Sequence, residues 1–358
     1  MKSILLCLLG ALSFWAAGCG TSQPSATTES DNLTSDAGQS VRVMFYNVEN
    51  LFDTLDSPDT RDGSFLPDGS YSWNSYKYYT KLKRISKVIL NTGAWNVPAV
   101  IGLCEVENRQ VLEDLLRTTP LIKFDYGIVH EESPDERGID VALLYQKEIY
   151  SPIAHQTLTV TFPDDPDDRT RDVLHAVGTI GPDTLHFFVN HWPSRSGGQE
   201  ASEPKRMRAA AVVRQAVDSL LATNPNAKII LMGDFNDGPE NRSMAEVLQA
   251  EGDSTQLEEG ELYNYMLPFF KKGIGTHKYR QEWNTLDQFV VSPGLLQAQE
   301  GFYTDWSSAT IVREEFLLEE DPYNPGNRPY RALLGPRWHG GYSDHLPIIL
   351  ELKYRSDL

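Results

Sequence analysis

The chain predicts a layered α/β domain, and three observations carry that expectation: short apolar runs bounded by turn residues, helical stripes between several of them, and polar residues gathered at the run ends. The runs are Val41 to Tyr46, Ala99 to Leu103, Val141 to Tyr145, Leu185 to Val189, Ile229 to Met232, Phe289 to Val291 and Ile348 to Leu352. They read as buried strands. Tyr78, Leu82, Ile85 and Ile89 form one helical stripe, and Ala210, Val213, Val217 and Leu220 a second, which Ser202 is placed to cap. Periodicity alone leaves open whether the strands make a doubly wound sheet or two packed sheets. No internal repeat or coiled coil is present in the sequence.

The polar residues that need explaining stand at the strand ends. Asn47 and Glu49 follow the first strand, Glu105 the second, His191 the Leu185 strand, and Asp234 and Asn236 the Ile229 strand. Asp287 precedes the Phe289 strand, and Asp344 and His345 precede the last. Strand ends are where α/β folds build sites. Any one of these residues could be a turn or cap. Nine of them, all of ligand or acid/base type, are poorly explained by turn chemistry.

The N-terminus reads as an export signal. Lys2 gives a positive start, an apolar run of 14 residues extends from Ile4 to Ala17, and Ala16, Ala17 and Gly18 precede Cys19. That run is short for a membrane span. Its end resembles the bacterial lipoprotein signal, which implies cleavage after residue 18 and lipidation of Cys19; a plain cleaved signal is the alternative. Residues 19–40 are Ser/Thr/Asp-rich and read as a solvated tether, leaving 41–358 as one domain. The chain is then exported, anchored in the cell envelope by lipid alone, and monomeric. Cys104 is the one cysteine left in the body, so no intramolecular disulfide forms, and its apolar setting makes it a small buried hydrophobe.

Loss of Lys2 with the signal leaves 31 basic against 50 acidic residues, a formal charge of −19. Such a surface disfavours tight nonspecific binding to a phosphate backbone, so a nucleic-acid substrate would need local positive charge and metal.

Six segments then resemble the endonuclease/exonuclease/phosphatase family: Phe45 to Phe52, Gly102 to Val106, Asn190 to Trp192, Gly233 to Asn236, Leu286 to Gln288 and Ser343 to Pro347. The resemblance implies a DNase I-like four-layer sandwich, two packed β-sheets flanked by helices, with the site where the strand ends of both sheets meet. It also implies a Mg²⁺ site, with Mn²⁺ as an alternative ion, on Glu105 assisted by Asn47, Glu49 and Asp344. Hard cations take oxygen ligands, and several carboxylates in one place repel without a cation. The same resemblance pairs His345 with Asp287, has Asp234 align or deprotonate water, Asn236 donate to the phosphoryl group, and His191 bind phosphate or protonate the leaving group. Which histidine is acid and which is base stays open.

Two loops are candidates for the substrate surface. One runs from Trp192 through Arg195 to Gly198, and the other carries Arg331 and Trp338; cation and aromatic faces suit phosphate contact and base stacking. Arg137 is a further phosphate-binding candidate, whereas His130, beside Glu131 and Glu132, reads as a solvated charge cluster rather than a second metal site. The family implies nucleases, inositol-phosphate phosphatases and sphingomyelinases alike. Gln288 after Asp287 counts against an inositol phosphatase, and no lipid-inserting apolar hairpin is evident. The reading is therefore a low-specificity nuclease acting on phosphodiesters, with a phosphomonoesterase or phospholipid-directed relative as one alternative and a non-catalytic surface binding protein as another.

Overall fold

A computed structural model describes residues 40–92, 96–252, 257, 260–296 and 298–356. The signal, Cys19 and nearly all of the tether lie outside the described residues.

The central strands are largely apolar because they are buried on both faces. In the strand Lys228–Asp234 (β8), Ile230 and Met232 join the core between two sheets, while Ile229 and Leu231 join a second core under a helix. Neighbouring strands repeat the alternation: Phe187 against Phe188 in Asp183–His191, and Phe289 against Val290 in Asp287–Val291. Period-two alternation with apolar residues on both sides places a sheet in the middle of a stack.

The first sheet orders its strands Gly301–Tyr303, Ile348–Arg355, Ser40–Leu51 (β1), Val100–Val106 (β2), Asp140–Gln146 (β4) and Tyr126–His130 (β3), with Ala309–Ile311 also on the C-terminal strand. The second runs Tyr150–Leu158 (β5), Val173–Ile180 (β6), Asp183–His191 (β7), β8, Asp287–Val291, Leu262–Asn264 and Ala250–Glu251. Helices Ser75–Asn91 (α1) and Arg109–Thr118 (α2) bury Leu82, Ile85, Leu112 and Leu115 in the core of the first sheet. Helix Gln199–Thr223 (α3) buries Ala210, Val213 and Val217 on the second. The result is the four-layer sandwich, and the doubly wound alternative is excluded. The layers close tightly at Gly102, where a Cβ would lie 2.9 Å from the Met232 sulfur of the facing sheet.

Ser202 does not cap α3. The helix starts at Gln199 behind Gly198, whose φ of 115° suits glycine alone, and the Ser202 hydroxyl instead donates back to the Gly198 carbonyl at 2.7 Å. Cys104 is fully buried, as expected. Among the described residues no helix is long and apolar enough to cross a membrane.

Candidate active site

Strand register brings the polar ends together. In the second sheet His191 pairs with Asp234 across β7 and β8, and Asp234 pairs with Asp287 on its other side, so all three project from one face. In the first sheet Asn47 pairs with Cys104, and the register of β2 breaks immediately after, between Cys104 and Val106. Glu105 occupies that irregularity with φ 61°. Glu49, Asn50 and Asn236 are also left-handed, with φ of 54°, 57° and 52°. Non-glycine residues rarely hold this conformation, and bulges re-aim side chains at strand ends.

Asn47 joins the two sheets. Its buried amide nitrogen donates to Glu105 Oε1 at 3.2 Å and to Asp234 Oδ2 at 3.1 Å, while its oxygen accepts from the Glu49 amide at 2.9 Å. Glu105 Oε2 accepts from the Asn50 amide at 2.8 Å. Asp234 lies between two imidazoles, 3.8 Å from Nε2 of both His191 and His345. Nδ1 of His345 is held by Asp287 at 2.7 Å. Burial works against charge on His345, but Asp287 and Asp234 outweigh it and keep its pKa well above the ordinary value. Burial, then Arg171 and Arg137, push His191 the opposite way. The two histidines are thus driven toward different protonation states.

The donor set fits a hard divalent cation. Asp234 is raised to about 6, by burial first, with Asp287 and Glu105 adding to it. Carboxylates that converge repel one another, and a cation relieves that repulsion. Among the described residues, Asp234, Asp287 and His345 also bring ligand atoms within 4.8 Å of one another.

The family model described as "Endonuclease/Exonuclease/phosphatase family" matches residues 42–354. The chain belongs to the endonuclease/exonuclease/phosphatase family. Similar solved structures include a family protein from Bacteroides thetaiotaomicron (17% identity, TM-score 0.51, 89% of this chain and 99% of that one). Others are D. rerio TDP2 complexed with single strand DNA product (16%, 0.52, 88% and 100%) and the human Nocturnin catalytic domain with bound sulfate anion (15%, 0.51, 88% and 95%). These likenesses show a shared fold. No curated protein matches the chain. Members of the endonuclease/exonuclease/phosphatase family are, in general, divalent-metal-dependent hydrolases of phosphoester bonds.

Within this family fold several expected residues take other places. Glu49, named as a metal ligand, is buried and accepts from Arg331 Nε at 3.1 Å and from the Ala332 and Leu333 amides at 2.6 and 3.4 Å. The same guanidinium donates to Asp344 at 2.9 Å. Arg331 is therefore a clamp on two carboxylates rather than a free phosphate contact, and Glu49 anchors the loop that carries it. Burial, then Asp344, raises Glu49 to about 7. Each carboxylate oxygen of Glu105 and Asp234 accepts one hydrogen bond, and Asp287 Oδ1 is buried without a partner.

Trp192 is 1% exposed, packs edge-on against Phe235 at 4.7 Å, and donates its N–H to Asn190 Oδ1 at 3.0 Å. It offers no face to a base, which corrects its assignment to the substrate surface. Trp338 meets buried Trp73 edge-on at 5.6 Å and belongs to the packed wall. Arg195 does reach the cleft: its Nε donates to the Asn236 carbonyl at 2.7 Å, and it lines a cavity of about 570 Å³ together with Asn236 and His345. The Asn236 amide donates to the Trp192 carbonyl at 3.0 Å, leaving one N–H for another partner. Arg137 is half exposed near Asp135.

Three residues of this region carried no sequence signal. His277 and Tyr279 belong to the hairpin pairing His277–Tyr279 with Glu282–Asn284, which forms the far wall of that cavity. The His277 ring lies 4.8 Å from that of His345, and burial pushes it down to about 4. Tyr279 is 61% exposed, with the Arg280 guanidinium 5.2 Å from its ring. Lys81 is fully buried on the apolar stripe of α1, and its ammonium has no hydrogen-bond partner while feeling Glu49 and Asp344.

Proposed function

We propose that this chain is a divalent-metal-dependent phosphodiesterase, an endonuclease of low sequence specificity that works outside the cytoplasm on a lipid anchor at Cys19. The observation that supports the chemistry best is the meeting of Asn47 and Glu105 from one sheet with Asp234, His191 and the Asp287–His345 pair from the other.

Glu105, steadied by Asn47, would hold the cation, which supplies positive charge against the phosphoryl oxygens. Mg²⁺ suits this oxygen set, with Mn²⁺ as a substitute. Asp234, between two imidazoles, would orient a water and accept its proton. His345 is fixed through Nδ1 and presents Nε2 toward Asp234 and the space a phosphoryl group would enter. Fixing one imidazole nitrogen with a carboxylate sets the ring orientation and favours its charged form. His191 faces the same carboxylates from the other side, 3.9 Å from Glu105, where it can bind phosphate or protonate the leaving oxygen. The free N–H of Asn236 is available to the transferring group.

Substrate class rests on the cleft wall. Arg195, Arg280 and exposed Tyr279 give cation and stacking surface beside His345, with no base-reading element. Gln288, where an arginine would favour inositol phosphates, is fully buried between Asn264 and the Asp237 carbonyl and does not enter the cleft. A fold neighbour solved with single strand DNA product is consistent with a polynucleotide in such a cleft. The deciding experiment offers the purified protein plasmid DNA, RNA, bis- and mono-(p-nitrophenyl) phosphate, inositol phosphates and sphingomyelin in Mg²⁺. Cleavage of polynucleotide and diester well ahead of every monoester is expected; a preference for inositol phosphates or another monoester contradicts the substrate assignment, and inertness toward all of them favours a binding protein.

A further inference from the structure

The fold holds a second group of ligand atoms, one strand away from Glu105. His130 ends β3, Asp140 opens β4 in the adjacent position of the sheet, and Glu132 lies in the loop between them. One ligand atom from each lies within 4.8 Å of the others. This is not the solvated cluster expected from the sequence: the His130 and Asp140 side chains are each 2% exposed.

The geometry inside the group is unusual for a hydrogen-bonded pair. His130 Nε2 and Asp140 Oδ2 are 3.3 Å apart, yet each is buried without a hydrogen-bond partner. The second oxygen of Asp140 is already occupied by the Ser133 amide at 2.8 Å. Buried polar atoms left unsatisfied cost on the order of 1–3 kcal/mol each, so facing orphans ask for something between them. Ligands on arms of about 2.0–2.1 Å, the zinc–nitrogen and zinc–oxygen range, stand roughly 3.3–3.4 Å apart at tetrahedral angles. That is the separation found.

We propose that His130, Asp140 and Glu132 bind a divalent transition-metal ion at a site distinct from the catalytic centre. One imidazole nitrogen with two carboxylate oxygens suits Zn²⁺ or Mn²⁺ better than Mg²⁺. Exposed Glu132 gives the ion a path from solvent and leaves room for water in the remaining position. The ion would brace the loop 131–139, whose Asp135 binds Arg171 at 3.0 Å. Arg171 in turn holds the carbonyls of His191 and Trp192 at 3.2 and 2.7 Å, so the site ties the edge of the first sheet to the wall carrying His191.

The test uses purified protein stripped with chelator and titrated with Zn²⁺, reading bound equivalents by elemental analysis, affinity by calorimetry and the melting temperature. Wild type and Glu105→Gln should both bind the ion and melt higher with it. His130→Ala and Glu132→Gln should lose one equivalent or weaken it by about tenfold or more, and lose the thermal shift. Should His130→Ala fail to fold, Glu132→Gln decides alone, because its side chain is exposed. Equal Zn²⁺ equivalents and affinity in wild type and both cluster variants, or loss of all Zn²⁺ binding in Glu105→Gln, overturns the proposal.

Discussion

Nδ1 of His345 lies 2.7 Å from Oδ2 of Asp287, and this bond joins the segment just before the C-terminal strand of one sheet to a strand of the other. It fixes which nitrogen of His345 faces Asp234. Asp287→Asn keeps the shape but removes the charge that favours the imidazolium. We expect turnover to fall about 10²-fold or more with the melting temperature changed little, measured by steady-state diester hydrolysis beside thermal unfolding. Near wild-type turnover in a folded Asp287→Asn variant would remove the pair from the chemistry.

The cleft wall, rather than the Trp192 and Trp338 rings, sets the contacts to the substrate beyond the scissile group. Tyr279→Ala and Arg195→Ala should raise the apparent KM for polynucleotide more than for a small diester, because stacking and phosphate contacts extend beyond the scissile group. Trp192→Phe should instead act through stability, since the indole is buried and bonded to Asn190. A polynucleotide-specific KM effect at Trp192 and none at Tyr279 would reverse the assignment.

A stability prediction comes from the second sheet, away from the centre. His175 stacks on Phe188 at 4.2 Å, and burial, then His186, lower it from 6.5 to about 4. Between those values the unfolded chain binds a proton that the folded imidazole refuses. Stability is therefore fully present above about pH 6.5 and falls as pH drops toward 4, by up to about 3 kcal/mol. His175→Phe should remove that contribution and make the loss of stability between pH 7.5 and pH 5 shallower in denaturant unfolding, the remainder coming from His191 and His277; an unchanged loss would show that His175 does not carry the proton.

Export is tested at its own residue. Cys19→Ser should release the protein from the membrane fraction or leave the precursor uncleaved, because stable anchoring needs more than one acyl chain. Fatty-acid label persisting in the Ser variant would move the attachment point.

Much of this architecture was legible because strands buried on both faces have little freedom in composition: the runs at Val41, Ile229 and Phe289 each became a strand, and the motif residues Asn47, Glu105, Asp234 and His345 met where strand ends meet. Edge strand β5 was not legible, because its residues are mostly exposed and the apolar signal is absent. Trp192 and Trp338 stand in polar, Gly- and Arg-rich loops that read as surface, yet packing against Phe235 and Trp73 draws the rings inward. The hairpin carrying His277 and Tyr279 turns at Arg280, a left-handed arginine with φ 55° where glycine would have marked the turn. Arg331 shows a different gap: its cation was visible, but partners 282 and 13 residues away decide whether it meets phosphate or clamps Glu49 and Asp344.

We propose that Glu105, steadied by Asn47, holds a catalytic divalent cation beside Asp234. It is tested most directly by diester hydrolysis of chelator-stripped protein during Mg²⁺ titration, for wild type, Glu105→Gln and Asp234→Ala in parallel. Wild type should be silent without metal and recover with Mg²⁺ or Mn²⁺. Glu105→Gln should need about tenfold or more Mg²⁺, and Asp234→Ala should stay slow at saturating ion. Full turnover of the stripped wild type in excess chelator, with no metal left by elemental analysis, would show that the centre works without a cation.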